Sequence, residues 1–205
     1  MNTRAIVFLP DQGSMSDFTH YDIYYRIYVS DIQESGEIQR SRPAMERINP
    51  ALANDYFYLE PYTSTNNNVN TSTANLFRSR NYQVLSYEQG GGVGNGPGDL
   101  ELNFPVQTGS TPYLTYGGTY SLYRSNGSGA FNPQPDRYFR NSPEISSSAN
   151  VNSTINADVA DRAGASGPRY TYAALYIVAV GLNKPAYTPF YSIPTFIGVF
   201  RLPDK

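Results

Sequence analysis

Alternation in residues 21–30 and a run apolar on both faces in residues 172–180 do most to limit what this chain can fold into. In the first run Ile23, Tyr25, Ile27 and Val29 fall on one face and Tyr24, Arg26, Tyr28 and Ser30 on the other. A period of two with β-branched and aromatic residues predicts a half-buried strand. In the second run Leu175, Ile177 and Ala179 share one face and Tyr176, Val178 and Val180 the other. Both faces are apolar, so this strand is expected at the centre of a sheet and covered on both sides. Residues 193–200 supply a third strand, with Pro194 at its start and Gly198 marking a bulge or a close backbone approach. The first-run residues Ile23, Tyr25, Ile27 and Val29 are predicted core partners of residues 175–180.

Between these strands the sequence loosens. Residues 4–10 form a short apolar run stopped at Pro10, read as a first strand, and residues 31–47 read as a loop. Asn49-Pro50 is a helix-start signal, an N-cap followed by proline at the first helical position, leading into a short helix near residues 51–55. Residues 63–73 are almost wholly Thr, Ser and Asn and cannot feed a core. Residues 82–88 and 100–104 flank the glycine-rich stretch from Gly90 to Gly98 and read as two strands joined by a long hairpin loop. Residues 119–124 alternate as another strand. Val151, Ile155, Val159 and Ala163 recur every four residues ahead of Gly164 and Gly167-Pro168, which predicts a helix over 149–163.

A length of 205 residues suits one domain. The expected fold is a mainly β, antiparallel β-sandwich over residues 1–205, with an elaborated insertion at about 31–168 holding extra strands and one or two short helices. Charged residues make up only 16% of the chain, and polarity comes from Asn, Ser, Thr, Gln and Tyr, a surface common in exported proteins. A net charge of −2, no basic run and only two lysines, Lys184 and Lys205, lack the electrostatic footprint of a nucleic-acid binder. With no cysteine there are no disulfides, thiolate metal sites or thiol nucleophiles. No run reaches the roughly 18 apolar residues of a membrane helix, and the N-terminus lacks the basic and apolar regions of a signal peptide. An exported composition without an export signal leads to the expectation of a mature fragment, with Met1 standing where a lipid-carrying cysteine would.

The early Tyr21-x-Ile-Tyr-Tyr-Arg-Ile-Tyr28 strand and the late Tyr176-x-Val-x-Val180 strand together resemble the C and F strands of fibronectin type III domains. The resemblance implies that Tyr172 or Tyr176 is the corner tyrosine and that residues 193–200 form the G strand. Two features depart from the family: the chain has no tryptophan for the usual buried B-strand position, and its C-to-F interval is far longer. The texture of the sequence is also similar to that of bacterial surface lipoproteins of spirochaete type, a likeness that transfers no residue roles.

Chemistry-bearing residues are sparse. His20 is the sole histidine, so a Ser-His-Asp triad or histidine metal site runs through it or does not exist. Asp99 with Glu101 could meet the separation that a glycosidase needs, and Asp11, Asp17, Asp22, Asp31, Asp158 and Asp161 read as solvated carboxylates. No phosphate-loop lysine follows the glycines and no calcium-loop spacing occurs, so no cofactor and no metal are expected. The strongest signal is aromatic. Among nineteen tyrosines, Tyr56, Tyr58 and Tyr62, then Tyr113, Tyr116, Tyr120 and Tyr123, then Tyr187 and Tyr191 sit among Asn, Ser and Gly, the vocabulary of binding surfaces. The competing reading makes them core residues in a chain without tryptophan. The expected function is a non-enzymatic, extracytoplasmic binding module, a lipoprotein ectodomain of the bacterial periplasm or outer-membrane surface. It would recognise a protein or glycan through Tyr/Asn/Gly-rich loops and touch a membrane only through a lipid anchor. A structural or assembly subunit of an envelope complex is the alternative, and a secreted carboxylate-dependent hydrolase the third.

Overall fold

The computed structural model describes residues 3–9, 17–59, 77, 79–87, 98–104, 114–116, 120–124, 139, 141, 143–147, 156–192 and 194–204. The elements are β1 (Thr3–Leu9), β2 (Phe18–Ser30), α1 (Arg42–Ile48), α2 (Pro50–Leu59), β3 (Gln83–Val84), β4 (Ser86–Tyr87), β5 (Gly98–Phe104), β6 (Leu114–Tyr116), β7 (Tyr120–Tyr123), α3 (Pro143–Ser146), β8 (Val159–Asp161), β9 (Tyr170–Asn183), β10 (Thr188–Tyr191) and β11 (Thr195–Arg201). The fold is mainly β, with antiparallel strands curled into a half-barrel.

The alternation in β2 and β9 has the expected outcome. The two pair antiparallel over almost their whole length, from Phe18 opposite Gly181 to Ser30 opposite Tyr170. β11 and then β10 line the far side of β9, and β3 and then β8 line the far side of β2. β9 is therefore central, as its two apolar faces require. Ile23, Tyr25, Ile27 and Val29 join Ala173, Leu175 and Ile177 in one core, closed by Leu85, Phe139, Ile145, Val159 and Phe200. On the opposite face Tyr28, Tyr172, Ala174 and Val199 pack under Met45, Ile48, Leu52 and Ala53 of α1 and α2. Alongside lies an aromatic cluster: Tyr24 stacks on Phe77 at 4.1 Å, and Phe77, Tyr82 and Tyr176 meet edge to face at about 5.5 Å. Each such ring pair adds about 0.5–1.5 kcal/mol beyond its buried area. Tyr25, Tyr28, Tyr172 and Tyr176 are all fully buried, so tyrosine supplies much of the core.

Gly198 is a bulge, as its place in the strand predicted. The register shifts between Phe196 and Gly198, Gly198 takes a φ of 155°, and a Cβ there would stand 2.5 Å from Ile38 Cγ2. Asn49 also acts as read: its Oδ1 accepts from the Ala51 amide at 3.0 Å, capping α2, while its own amide donates to Met45 O and ends α1. Tyr172 does not bond within its own turn. Its hydroxyl donates to Ile32 O at 2.6 Å and accepts from Glu34 N at 2.8 Å, pinning the chain as it leaves β2.

Three expectations need correction. Residues 42–48 are helix α1, not loop; Ser41 and Pro43 mark its start and Ala44, Met45 and Ile48 its buried side, so the helical content exceeds the one or two short pieces expected. β4 and β5 do not form a hairpin: they lie at different places in a five-stranded sheet ordered β1-β5-β6-β7-β4, and β5 pairs with β1 from Thr3 opposite Phe104 to Leu9 opposite Gly98. Finally, residues 159–161 of the expected helix are strand β8. It runs parallel to β2, with Ile27 N donating to Asp158 O and Arg162 N to Val29 O. The open edge of β2 demands partners for its amides and carbonyls, and that demand overrides a four-residue apolar spacing. Residues 151–155 lie outside those described.

Candidate functional site

The start of β2, the end of β9 and β10 form one end of the main sheet, and several of the residues singled out in the sequence meet there. His20 and Tyr191 both stand opposite Val180, from its two sides. Directly paired residues share a sheet face, so the imidazole, Val180 and the phenol form one row, with His20 and Tyr191 two strand spacings, about 10 Å, apart. Tyr191 is half-buried against the aromatic cluster of Tyr24, Phe77, Tyr82 and Tyr176.

His20 Nε2 lies 3.2 Å from Asp22 Oδ1 and Nδ1 lies 2.9 Å from Thr19 Oγ1. Hydroxyl, imidazole and carboxylate thus stand in line at a bulge between Phe18 and His20. The Thr19 hydroxyl, however, donates to Val180 O at 2.9 Å. A hydroxyl has one proton to give, and here it holds the bulge to β9 rather than standing ready as a nucleophile. Burial raises the Asp22 carboxyl above its usual value, against the pull of His20.

The hairpin joining β9 to β10 carries the most exposed aromatic side chain described. Asn183 starts its turn, accepting from the Ala186 amide at 3.2 Å through its carbonyl, and Lys184 pairs with Asp17 at 3.7 Å. Tyr187 ends the loop at φ 50° with 82% of its surface exposed. Left-handed backbone is uncommon for a residue this bulky and costs of order 1 kcal/mol. The stem is firmly built: Phe190 lies over Gly181, whose missing Cβ would fall 2.1 Å from the ring.

Two polar clusters elsewhere were not foreseen. Asp55 on α2 accepts from Tyr28 Oη at 2.6 Å and pairs with Arg80 at 3.2 Å and Arg26 at 3.5 Å, while Tyr28 and Tyr82 hydroxyls are 3.2 Å apart. Burial raises Asp55 above the ordinary carboxylate value, opposed by Tyr28 and the two arginines, and raises both phenols well above theirs. On the other face Asp158, 2% exposed, takes a two-pronged contact from Arg124, 4% exposed, at 2.7 and 3.0 Å. Tyr25 Oη donates to the same carboxylate at 2.8 Å and Asn156 Oδ1 accepts from Arg124 at 3.0 Å. Arg124 follows β7 and Asp158 precedes β8, so the pair ties the two sheets together. Asp158 is therefore no solvated carboxylate. Asp31 does stay at the surface, where the Ser166 amide and Arg162 hold it below the ordinary value. Asp161, no more buried than Asp31, pairs with Arg169.

Of the other expected site residues, Tyr56 and Tyr58 fall in α2, Tyr116 stands opposite Tyr120 across β6 and β7, and Tyr123 closes β7. Tyr62 and Tyr113 lie outside the described residues, as does the glycine stretch before Gly98. Asp99 and Glu101 lie in β5 opposite Phe8 and Ile6. Among the described residues no group of three or more His, Cys, Asp or Glu is placed to hold a metal ion, and no helix is long and apolar enough to cross a membrane. Comparison with protein-family models, with curated proteins and with solved structures finds no match for the chain.

Proposed function

We propose that this chain is a non-enzymatic binding module of a bacterial cell envelope, the ectodomain of a lipoprotein built on a fibronectin-III-like β-sandwich, and that it meets a protein or glycan partner at the β9–β10 end of its main sheet. One observation supports the reading above the others. Tyr187 is held 82% exposed in a left-handed backbone at the tip of a braced hairpin. Strain kept in a bulky exposed aromatic points to use, since an Asn or Gly at that position would fold more easily. A rigid phenol offers contact area at low entropic cost and a polar tip for one hydrogen bond. His20 and Tyr191 on the adjoining face extend the same surface, and the order β2-β9-β11 suits a C-F-G strand arrangement.

The test places a photo-crosslinking phenylalanine analogue at 187 and, as a control, at exposed Ala51, with glycan-array binding of the wild type and Tyr187→Asn run in parallel. A discrete adduct from position 187 alone, or an array signal lost in Tyr187→Asn, is expected. No adduct at 187 together with a blank array overturns the proposal.

A further inference from the structure

The outer edge of β10 carries a feature that the reading of Tyr187 does not use. In an antiparallel pair the amide and carbonyl of one residue point to the same side, and successive residues alternate. Leu182 N donates toward β2, to Asp17 O, whereas Ala179 O on the other side accepts from Ser192 N. Even-numbered residues at this end of β9 therefore turn to β2 and odd-numbered ones to β10. Thr188 and Phe190, opposite Asn183 and Gly181, point inward; Pro189 and Tyr191, opposite Leu182 and Val180, point outward. β10 is the last strand in the sheet order, and Thr188 and Pro189 are exposed.

We infer that Pro189 is the residue that keeps this edge from accepting another strand, with the β10 of a second copy as the partner it turns away. Of the two outward-facing residues, proline has no N–H to give, so a strand arriving alongside β10 finds a single donor, the Tyr191 amide. The hairpin is left to act end-on, through the side chains of its tip. Were position 189 an ordinary β-former, two hairpins could pair antiparallel about a two-fold axis, each offering two outward amides instead of one.

Sedimentation velocity and light scattering of Pro189→Val and Pro189→Lys, over a range of concentrations and with folding checked by circular dichroism, test this. Both variants restore the N–H, but lysine keeps a solvated charge on the edge. Pro189→Val is expected to show a concentration-dependent species of twice the 22.8 kDa chain mass, and Pro189→Lys to sediment as the wild type. If Pro189→Val sediments as the wild type the inference fails; association of Pro189→Lys as well would still support it, since both variants regain the N–H. Its failure is separate from that of the proposed function, because no partner enters the measurement.

Discussion

Replacing Asp158 by asparagine keeps the side chain's size and an acceptor for Tyr25, and removes the charge. The Arg124 guanidinium, 4% exposed, then loses the carboxylate that meets two of its nitrogens at 2.7 and 3.0 Å. Removing one partner of a buried pair costs about 3–5 kcal/mol, because the remaining charge stays out of water without its counter-charge. Taking about 4 kcal/mol against a total stability of about 5–15 kcal/mol, the variant is expected to sit near the edge of folding. At about 2–4 °C per kcal/mol for a chain of this size, its Tm falls by about 8–16 °C. The chain has nineteen tyrosines and no tryptophan, so urea unfolding followed by tyrosine emission and far-ultraviolet circular dichroism reports it. The double variant Arg124→Met with Asp158→Leu, which fills the same space with apolar groups, is expected to be more stable than Asp158→Asn. A loss under about 1 kcal/mol in Asp158→Asn, or a double variant as unstable as the summed single ones, would refute the claim that this pair latches the two sheets.

Three further outcomes are expected. Gly198→Ala forces a Cβ to 2.5 Å from Ile38 Cγ2 at a φ of 155°, and urea midpoints should show a loss of about 2 kcal/mol or more. Tyr172→Phe removes the hydroxyl that bonds Ile32 O and Glu34 N, costing about 1–2 kcal/mol; hydrogen exchange should quicken at residues 32–34 while β9 stays protected. Asp55, whose carboxyl burial raises above 3.8, makes a pH-dependent contribution. Because the folded form holds its proton more tightly, that contribution is complete below the unfolded value and is lost as pH rises through the folded one. Urea titrations from acid toward neutrality should therefore show the wild type losing stability relative to Asp55→Asn; an unchanged difference would contradict the sign.

The frame was legible because it is written in local patterns. Alternation at Ile23 to Val29 and at Leu175 to Val180 needs only the pleat of a strand to become two faces, and Asn49-Pro50 and Gly198 act through their own backbones. Tyr187 and Tyr191 could be chosen as candidates, but their vocabulary did not separate a phenol held 82% in solvent from one packed into an aromatic cluster. What residues 159–161 became could not be read from their spacing, since the deciding influence was the unsatisfied edge of β2, remote in sequence. The same holds for Asp158, which reads as an ordinary acidic residue until Arg124 and Tyr25 close on it, and for Pro189, whose role depends on which way its neighbours in the register face. The sequence determined that β2 and β9 are strands and which residues share each of their faces, because those follow from φ, ψ and side-chain period. Only the tertiary structure decided which strands pair, which charges are buried together and which tyrosine meets water, because each depends on groups brought together from distant parts of the chain.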